Sequence, residues 1–193
     1  MKKIVVGSFV AAIFIAASYI FIHTYNMLVQ KEENVNVAYS QIQSNIQREL
    51  DLIPNLIKVV QKNASYEQSV LQNITKFRTD AYKTLNNKEV SAKNIKNLQN
   101  VQKRLDSTVI KLLSVAENYP QLQATEAFLQ LQSQIEGAQN RINIARMQYN
   151  KAVGIYNTYL KSFPANLVAK IASFKQKPYF QSSNTTKTFK WNN

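Results

Sequence analysis

Residues 128–159 read FLQLQSQIEGAQNRINIARMQYNKAVGIYNTY, and the spacing of their apolar members decides the fold. Phe128, Leu131, Ile135, Ala138, Ile142, Ala145, Tyr149, Ala152, Tyr156 and Tyr159 are separated alternately by three and four residues without a skip. That rhythm places all of them along one side of a long helix as a coiled-coil-like seam. A helix with one apolar seam must cover it against another helix. Three further stripes stand upstream to do so: Val35, Tyr39, Ile42, Ile46, Leu50, Ile53, Ile57 and Val60; then Tyr66, Val70, Ile74, Phe77, Ala81 and Leu85; then Leu98, Val101, Leu105, Val109, Leu112 and Ala116. Asn86 to Asn94 is polar and aperiodic and reads as a loop, and Asn118-Tyr119-Pro120 closes the third stripe, because the residue before proline avoids helical geometry.

Punctuation excludes a sheet protein. The chain has three glycines and four prolines, all far apart, too few for the tight turns that many strands require. The predicted class is all-α: an N-terminal transmembrane helix followed by an antiparallel up-and-down four-helix bundle with long helices. Residues 1–25 form the anchor, 26–163 the bundle and 164–180 a short helix with an aromatic segment. Residues 181–193 are a polar tail predicted to be disordered.

The anchor rests on Ile4 to Ile22, an uncharged run behind Met1-Lys2-Lys3. Nineteen helical residues at about 1.5 Å each span the hydrocarbon thickness of a bilayer. A cleaved signal peptide shares this design, but Tyr19-Ile20-Phe21-Ile22 continues the apolar run past the weak site at Ala16-Ala17-Ser18, so retention is predicted. A lipoprotein signal is excluded, since the chain has no cysteine. Lys2 and Lys3 outweigh Lys31 on the far side, which predicts a single-pass plasma-membrane protein with a cytoplasmic N-terminus and an extracytoplasmic soluble part. No breaker separates Ile22 from Lys31, so the first bundle helix continues out of the span. Pro54 lies inside the first stripe and predicts a kink near Leu50 to Asn55.

Several segments together carry a family resemblance: Gln47-Arg48-Glu49-Leu50-Asp51-Leu52-Ile53-Pro54-Asn55-Leu56, Tyr25-Asn26-Met27-Leu28-Val29, Tyr119-Pro120-Gln121-Leu122, Ala145-Arg146 through Tyr149-Asn150-Lys151-Ala152-Val153 to Tyr156-Asn157, and Phe163-Pro164-Ala165-Asn166-Leu167 to Lys177-Pro178-Tyr179-Phe180. In this order they resemble the LemA family of bacterial membrane proteins over almost the whole chain. The resemblance implies one N-terminal transmembrane helix, an antiparallel four-helix bundle and no established biochemical activity. The chain departs from the family at Arg48-Glu49, where two adjacent basic residues are usual, and at Tyr39, where many members have Trp. Glu49 weakens any claim that a basic pair at that position is essential.

Chemistry is bounded by what is absent. A helix-bundle di-iron site needs two Glu-x-x-His pairs, and the one histidine, His23, stands at the membrane edge. No cysteine is available as nucleophile or ligand, no Ser-His-Asp triad can form in the soluble part, and isolated glycines cannot cradle phosphate. The inventory argues against an enzyme, leaving only Ser-Lys or carboxylate chemistry open, and predicts no metal and no cofactor. The residues singled out as an interaction or structural signature are Arg48, Asp51, Pro54, Asn55, Arg146, Tyr149, Asn150, Tyr156 and Asn157. Tyr-Asn recurs at 149-150 and 156-157, seven residues apart, so both asparagines project from one side. They either recognise a partner helix or, the favoured reading, hydrogen-bond within the bundle. Arg48, Asp51, Glu126, Glu136, Arg141 and Arg146 are expected to form structural ion pairs.

Net charge is +13, and no acidic residue follows Glu136, whereas nine lysines and arginines do. Nucleic acid is set aside for a membrane-anchored chain without a binding motif. Anionic lipid or an acidic envelope polymer suits the basic third better. Leu167, Ile171 and Phe174 predict a short amphipathic helix that packs on the bundle or touches the membrane, followed by an aromatic clamp at Lys177 to Phe180. Two function classes follow: a scaffold whose bundle binds an envelope protein or its own copies, and a binder of anionic lipid or cell-wall polymer through the basic C-terminal third.

Overall fold

The computed structural model describes residues 2–61 and 68–181, and every regular element among them is α-helical. The order is α1 (Lys2–Gln61), α2 (Gln68–Leu85), α3 (Ala92–Glu117), the single turn α4 (Pro120–Gln123), α5 (Glu126–Lys161) and α6 (Ala165–Ile171). Helix α1 runs unbroken for 60 residues, about 90 Å at the helical rise. Among the described residues it alone is long and apolar enough to cross a membrane. Its apolar side chains from Ile4 to Ile22 are exposed, and burial begins at Thr24 and Leu28. The helix continues through the half-buried Pro54, where the sequence predicts a kink, without interruption.

Cross-contacts fix the directions. Tyr39 packs its ring 6.1 Å from that of Tyr149, Gln139 donates to Glu49, and Lys31 sits 5.0 Å above the ring of Tyr159. Positions rise along α1 as they fall along α5, so this dominant pair is antiparallel. Gln43 then receives the end of α2, its amide donating to the carbonyls of Leu85 (2.8 Å) and Asn87 (2.7 Å), while the Tyr82 hydroxyl bonds Asp51. Arg104 stacks 4.6 Å from the ring of Phe77 as α3 returns along α2. Thr125 caps α5 by accepting from the backbone N–H of Phe128, with Glu126 in the first turn and Lys161 in the last, both favourable to the helix dipole.

Unequal helix lengths shape the rest. At 18 and 26 residues, α2 and α3 are shorter than α5 at 36, and the end of α2 meets α1 at Gln43. On the membrane side of Gln43 the seam of α1 and α5, with Leu28, Val35, Val153 and Tyr156 buried, is closed by α6 and the chain after it. Val168, Ala169, Phe174 and Phe180 join the same core. The predicted stripes hold apart from local shifts: Leu56 replaces Ile57 as the deeper residue, Val153 is deeper than Ala152, and Val70 is exposed. Tyr66 lies outside the described residues. Of the predicted α6 stripe, Leu167 and Ile171 are exposed, turned away from the bundle, while Phe174 packs against the core; Ala165, Val168 and Ala169 form the buried face of the helix.

Candidate functional site

After α6 the chain reverses at Ser173, which adopts the left-handed conformation (φ 59°), and continues as an extended strap over residues 174–181 along α5. Pro178 fixes its own φ and keeps Lys177 extended. The Tyr-Asn pairs of α5 hold this strap by its backbone. Asn157 donates to the carbonyl of Lys177 and accepts from its N–H, both at 2.9 Å. Asn150 does the same for Phe180, at 2.9 and 2.8 Å. The hydroxyls of Tyr156 and Tyr149 donate to the carbonyls of Lys175 (2.9 Å) and Pro178 (2.7 Å). Arg146 and Gln99 converge on the carbonyl of Gln181. Seven helical residues rise about 10.5 Å and three extended residues advance about 9–10 Å, so each Tyr-Asn pair meets the strap at the same phase.

Side chains add two specific contacts. Lys177 forms an ion pair with Glu32 of α1 at 2.6 Å. Phe180 is buried, with the Arg146 guanidinium 4.9 Å from its ring centroid, a cation–π arrangement. Tyr179 points outward, its hydroxyl close to Gly154.

Of the nine singled-out residues, Arg146, Tyr149, Asn150, Tyr156 and Asn157 thus line one groove. The asparagines bond an extended chain rather than a neighbouring helix. Arg48, Asp51 and Asn55 are exposed on α1, and Pro54 is half-buried. Arg48 adjoins the point where α1 faces Gln139 and the other three lie beyond it, so the structure does not bring them to the groove. The expected ion pairs do not form: none of Arg48, Asp51, Glu126, Glu136, Arg141 and Arg146 is salt-bridged among the described residues, and all but the half-buried Arg146 are solvent-exposed. The polar tail reads differently at its start, since Gln181 is bound to α3 and α5; residues 182–193 lie outside the described residues.

Farther along the α1–α5 pair, outside the groove, sits a buried acid to which the sequence assigned no role. Glu49, not Arg48, faces inward and is fully buried; its Oε1 accepts from Gln139 at 3.4 Å and its Oε2 has no partner. Burial, reinforced by the nearby Asp106 charge, pushes its carboxyl up to about 8. Asp106 is raised to about 6 by its own burial, against the pull of Arg146, and burial lowers the Arg146 guanidinium. Tyr39 is likewise raised by burial, its hydroxyl unpartnered.

The model of the LemA family matches residues 38–190, from the soluble part of α1 through the groove and strap. The chain belongs to the LemA family. Its similarity extends to magnetosome protein MamQ 2 of Paramagnetospirillum magneticum, 25% identical over 179 residues that cover 81% of this chain and 64% of that protein. MamQ of Magnetospirillum gryphiswaldense is 22% identical over 174 residues with the same coverage. Protein LemA of Metamycoplasma hominis is 25% identical over 165 residues, 86% of this chain and 72% of that one. The chain therefore spans less than two thirds of the length of the magnetosome proteins it matches. Within the LemA-family region, the segments Ala145 to Asn157 and Lys177 to Phe180, which stand apart in sequence, are the two sides of one contact.

Proposed function

We propose that this LemA-family chain is a non-enzymatic scaffold of the cell envelope, anchored by the N-terminal part of α1 with its soluble part outside the cytoplasm, and that the helical surface binds another envelope protein or further copies of itself. The observation that carries this reading is the unbroken α1, which joins an apolar span directly to the pair with α5 and so holds a rigid interaction surface at a set height above a bilayer. In-cell crosslinking with mass spectrometry tests it. A reproducible crosslink from the exposed faces of α2, α3 or α5 to a second protein chain is the expected result, and the absence of any above background overturns the reading.

A second reading, contact with anionic lipid, is favoured by the α5–α6 corner. Tyr25, one turn beyond the apolar span, packs edge-on against Phe174 at 5.6 Å, which keeps the corner beside the end of that span. Phe163, Leu167 and Ile171 are exposed there at 80%, 51% and 73%, beside exposed Lys161, Lys170 and Lys175. Apolar side chains flanked by lysines suit the interfacial zone, each basic residue near anionic lipid adding about 1 kcal/mol. Lys177 is excluded from this set by its pairing with Glu32. The full chain in liposomes, labelled with an environment-sensitive dye at Phe163→Cys, is expected to show blue-shifted emission that reversal of Lys161, Lys170 and Lys175 to glutamate diminishes. Emission equal to that of a label at the exposed Lys151 refutes the contact.

A further inference from the structure

The contacts that hold the strap are almost all to backbone atoms, and this gives the groove a property beyond closing the core. A bidentate asparagine reads a peptide unit, not a side chain, and the two asparagines do so at a repeat commensurate with any extended chain. Sequence enters at only two places: a cation that meets Glu32 and an aromatic ring that fills the position under Arg146. The groove is thus a receptor for an extended peptide of the form Lys-Pro-x-Phe, and in this fold it is filled by the protein's own residues 177–180.

We propose that a second copy of the chain supplies that peptide, so that neighbouring molecules in a membrane exchange straps. The proposal rests on the scaffold reading and names its partner. Three features of the molecule favour a copy of itself. The strap is joined to the folded part at one point, the reversal at Ser173, with α6 held independently by Ala165, Val168 and Ala169. Rotation of the backbone there releases the strap without disturbing a helix. Exchange replaces every contact by an identical one, so the free-energy difference between closed and exchanged forms is small, the condition under which swapping of an identical element occurs. Anchoring adds the third feature. Each α1 leaves the bilayer as the same continuous helix, so the straps and grooves of neighbouring copies lie at equal height with the same polarity, and confinement to a surface raises their effective concentration. A two-fold axis along the membrane normal then makes the exchange reciprocal.

The chain contains no cysteine, which makes crosslinking clean. Gly154→Cys places a thiol in the groove, where an added Cβ meets only the outer end of Tyr179, and Tyr179→Cys places one on the exposed side of the strap. Full-length Gly154→Cys and Tyr179→Cys chains carrying different tags are co-reconstituted in liposomes and treated with a short bis-maleimide. Gly154 is half-buried with room for a Cβ and Tyr179 is exposed, and the unfolding temperature of each variant confirms that it folds. A crosslinked heterodimer is expected, and a pair made from Tyr179→Cys and Ile144→Cys, exposed elsewhere on α5, is expected to give at least about tenfold less. Adding Asn150→Ala and Asn157→Ala to both chains is expected to reduce the heterodimer by about tenfold or more, since several hydrogen bonds are lost. The doubly substituted single chain, Gly154→Cys with Tyr179→Cys, reports closure within one molecule. If it crosslinks internally while the mixture gives no heterodimer, the proposal is overturned and the strap is a fixed part of each fold. In that case crosslinks from other faces to other proteins still decide the scaffold reading separately.

Discussion

Glu49→Gln raises stability at pH 8 by on the order of 4 kcal/mol and leaves stability at pH 4 nearly unchanged. The carboxyl of Glu49 moves from 4.5 to about 8 on folding because it is buried, has the Asp106 charge nearby and is given a single weak donor by Gln139. Since each unit of displacement is worth about 1.4 kcal/mol, the folded state holds a proton that the unfolded state releases above pH 4.5. The sign follows from proton count: between these two values the native chain binds more protons than the unfolded one, so stability is fully present below about pH 4.5, declines as pH rises, and is lost through about pH 8. Asp106, raised to about 6, steepens the middle of that decline. Glutamine keeps the acceptor for Gln139 and cannot ionise, so the variant retains at pH 8 what the native protein has given up. Thermal unfolding of the full chain in detergent from pH 4 to pH 9 checks this. Superimposable profiles for native protein and variant refute it.

Replacing both Asn150 and Asn157 by alanine is expected to free the strap. Four hydrogen bonds to the backbone of Lys177 and Phe180 disappear, at roughly 1 kcal/mol each, and their peptide groups have no other protein partner within this arrangement. A loss of about 4 kcal/mol is comparable to what can hold an eight-residue segment to a surface, so the strap detaches while α1 and α5 stay paired through Tyr39, Ile42, Ala145 and Tyr149. Hydrogen exchange separates the two consequences. The amides of Lys177 and Phe180 should lose their protection, and those in the middle of α5 should keep theirs. Protection unchanged at Lys177 and Phe180 would show that Phe180 burial and the Glu32 ion pair suffice.

How far the sequence disclosed this arrangement depends on the kind of interaction. The seam from Phe128 to Tyr159 and the stripe from Val35 to Val60 announce helices because burial along a helix recurs every three or four residues, and Ala38, Ile46 and Ile142 are buried accordingly. The loop near Asn86 and the stop at Pro120 follow from local backbone chemistry and stand where predicted. The strap has no such period. Its hydrogen bonds join residues 19 to 82 positions apart, and Lys177 to Phe180 is too short to reveal a partner. One trace was available: two Tyr-Asn pairs at an interval of seven, whose length matches three residues of extended chain. The burial of Glu49 was not legible for a related reason. Glu49 adjoins the seam residue Leu50, and whether a seam's neighbour faces solvent or interior depends on α3, which brings Asp106 close, and not on α1 alone.

The continuity of α1 also couples two environments by rotation. With no hinge between Ile22 and Leu28, each residue inserted or deleted there turns everything above the bilayer by about 100° relative to the span. The azimuth of the soluble part is therefore dictated from inside the lipid: when two spans touch through a given stripe of side chains, the faces their outer portions turn toward each other are already chosen.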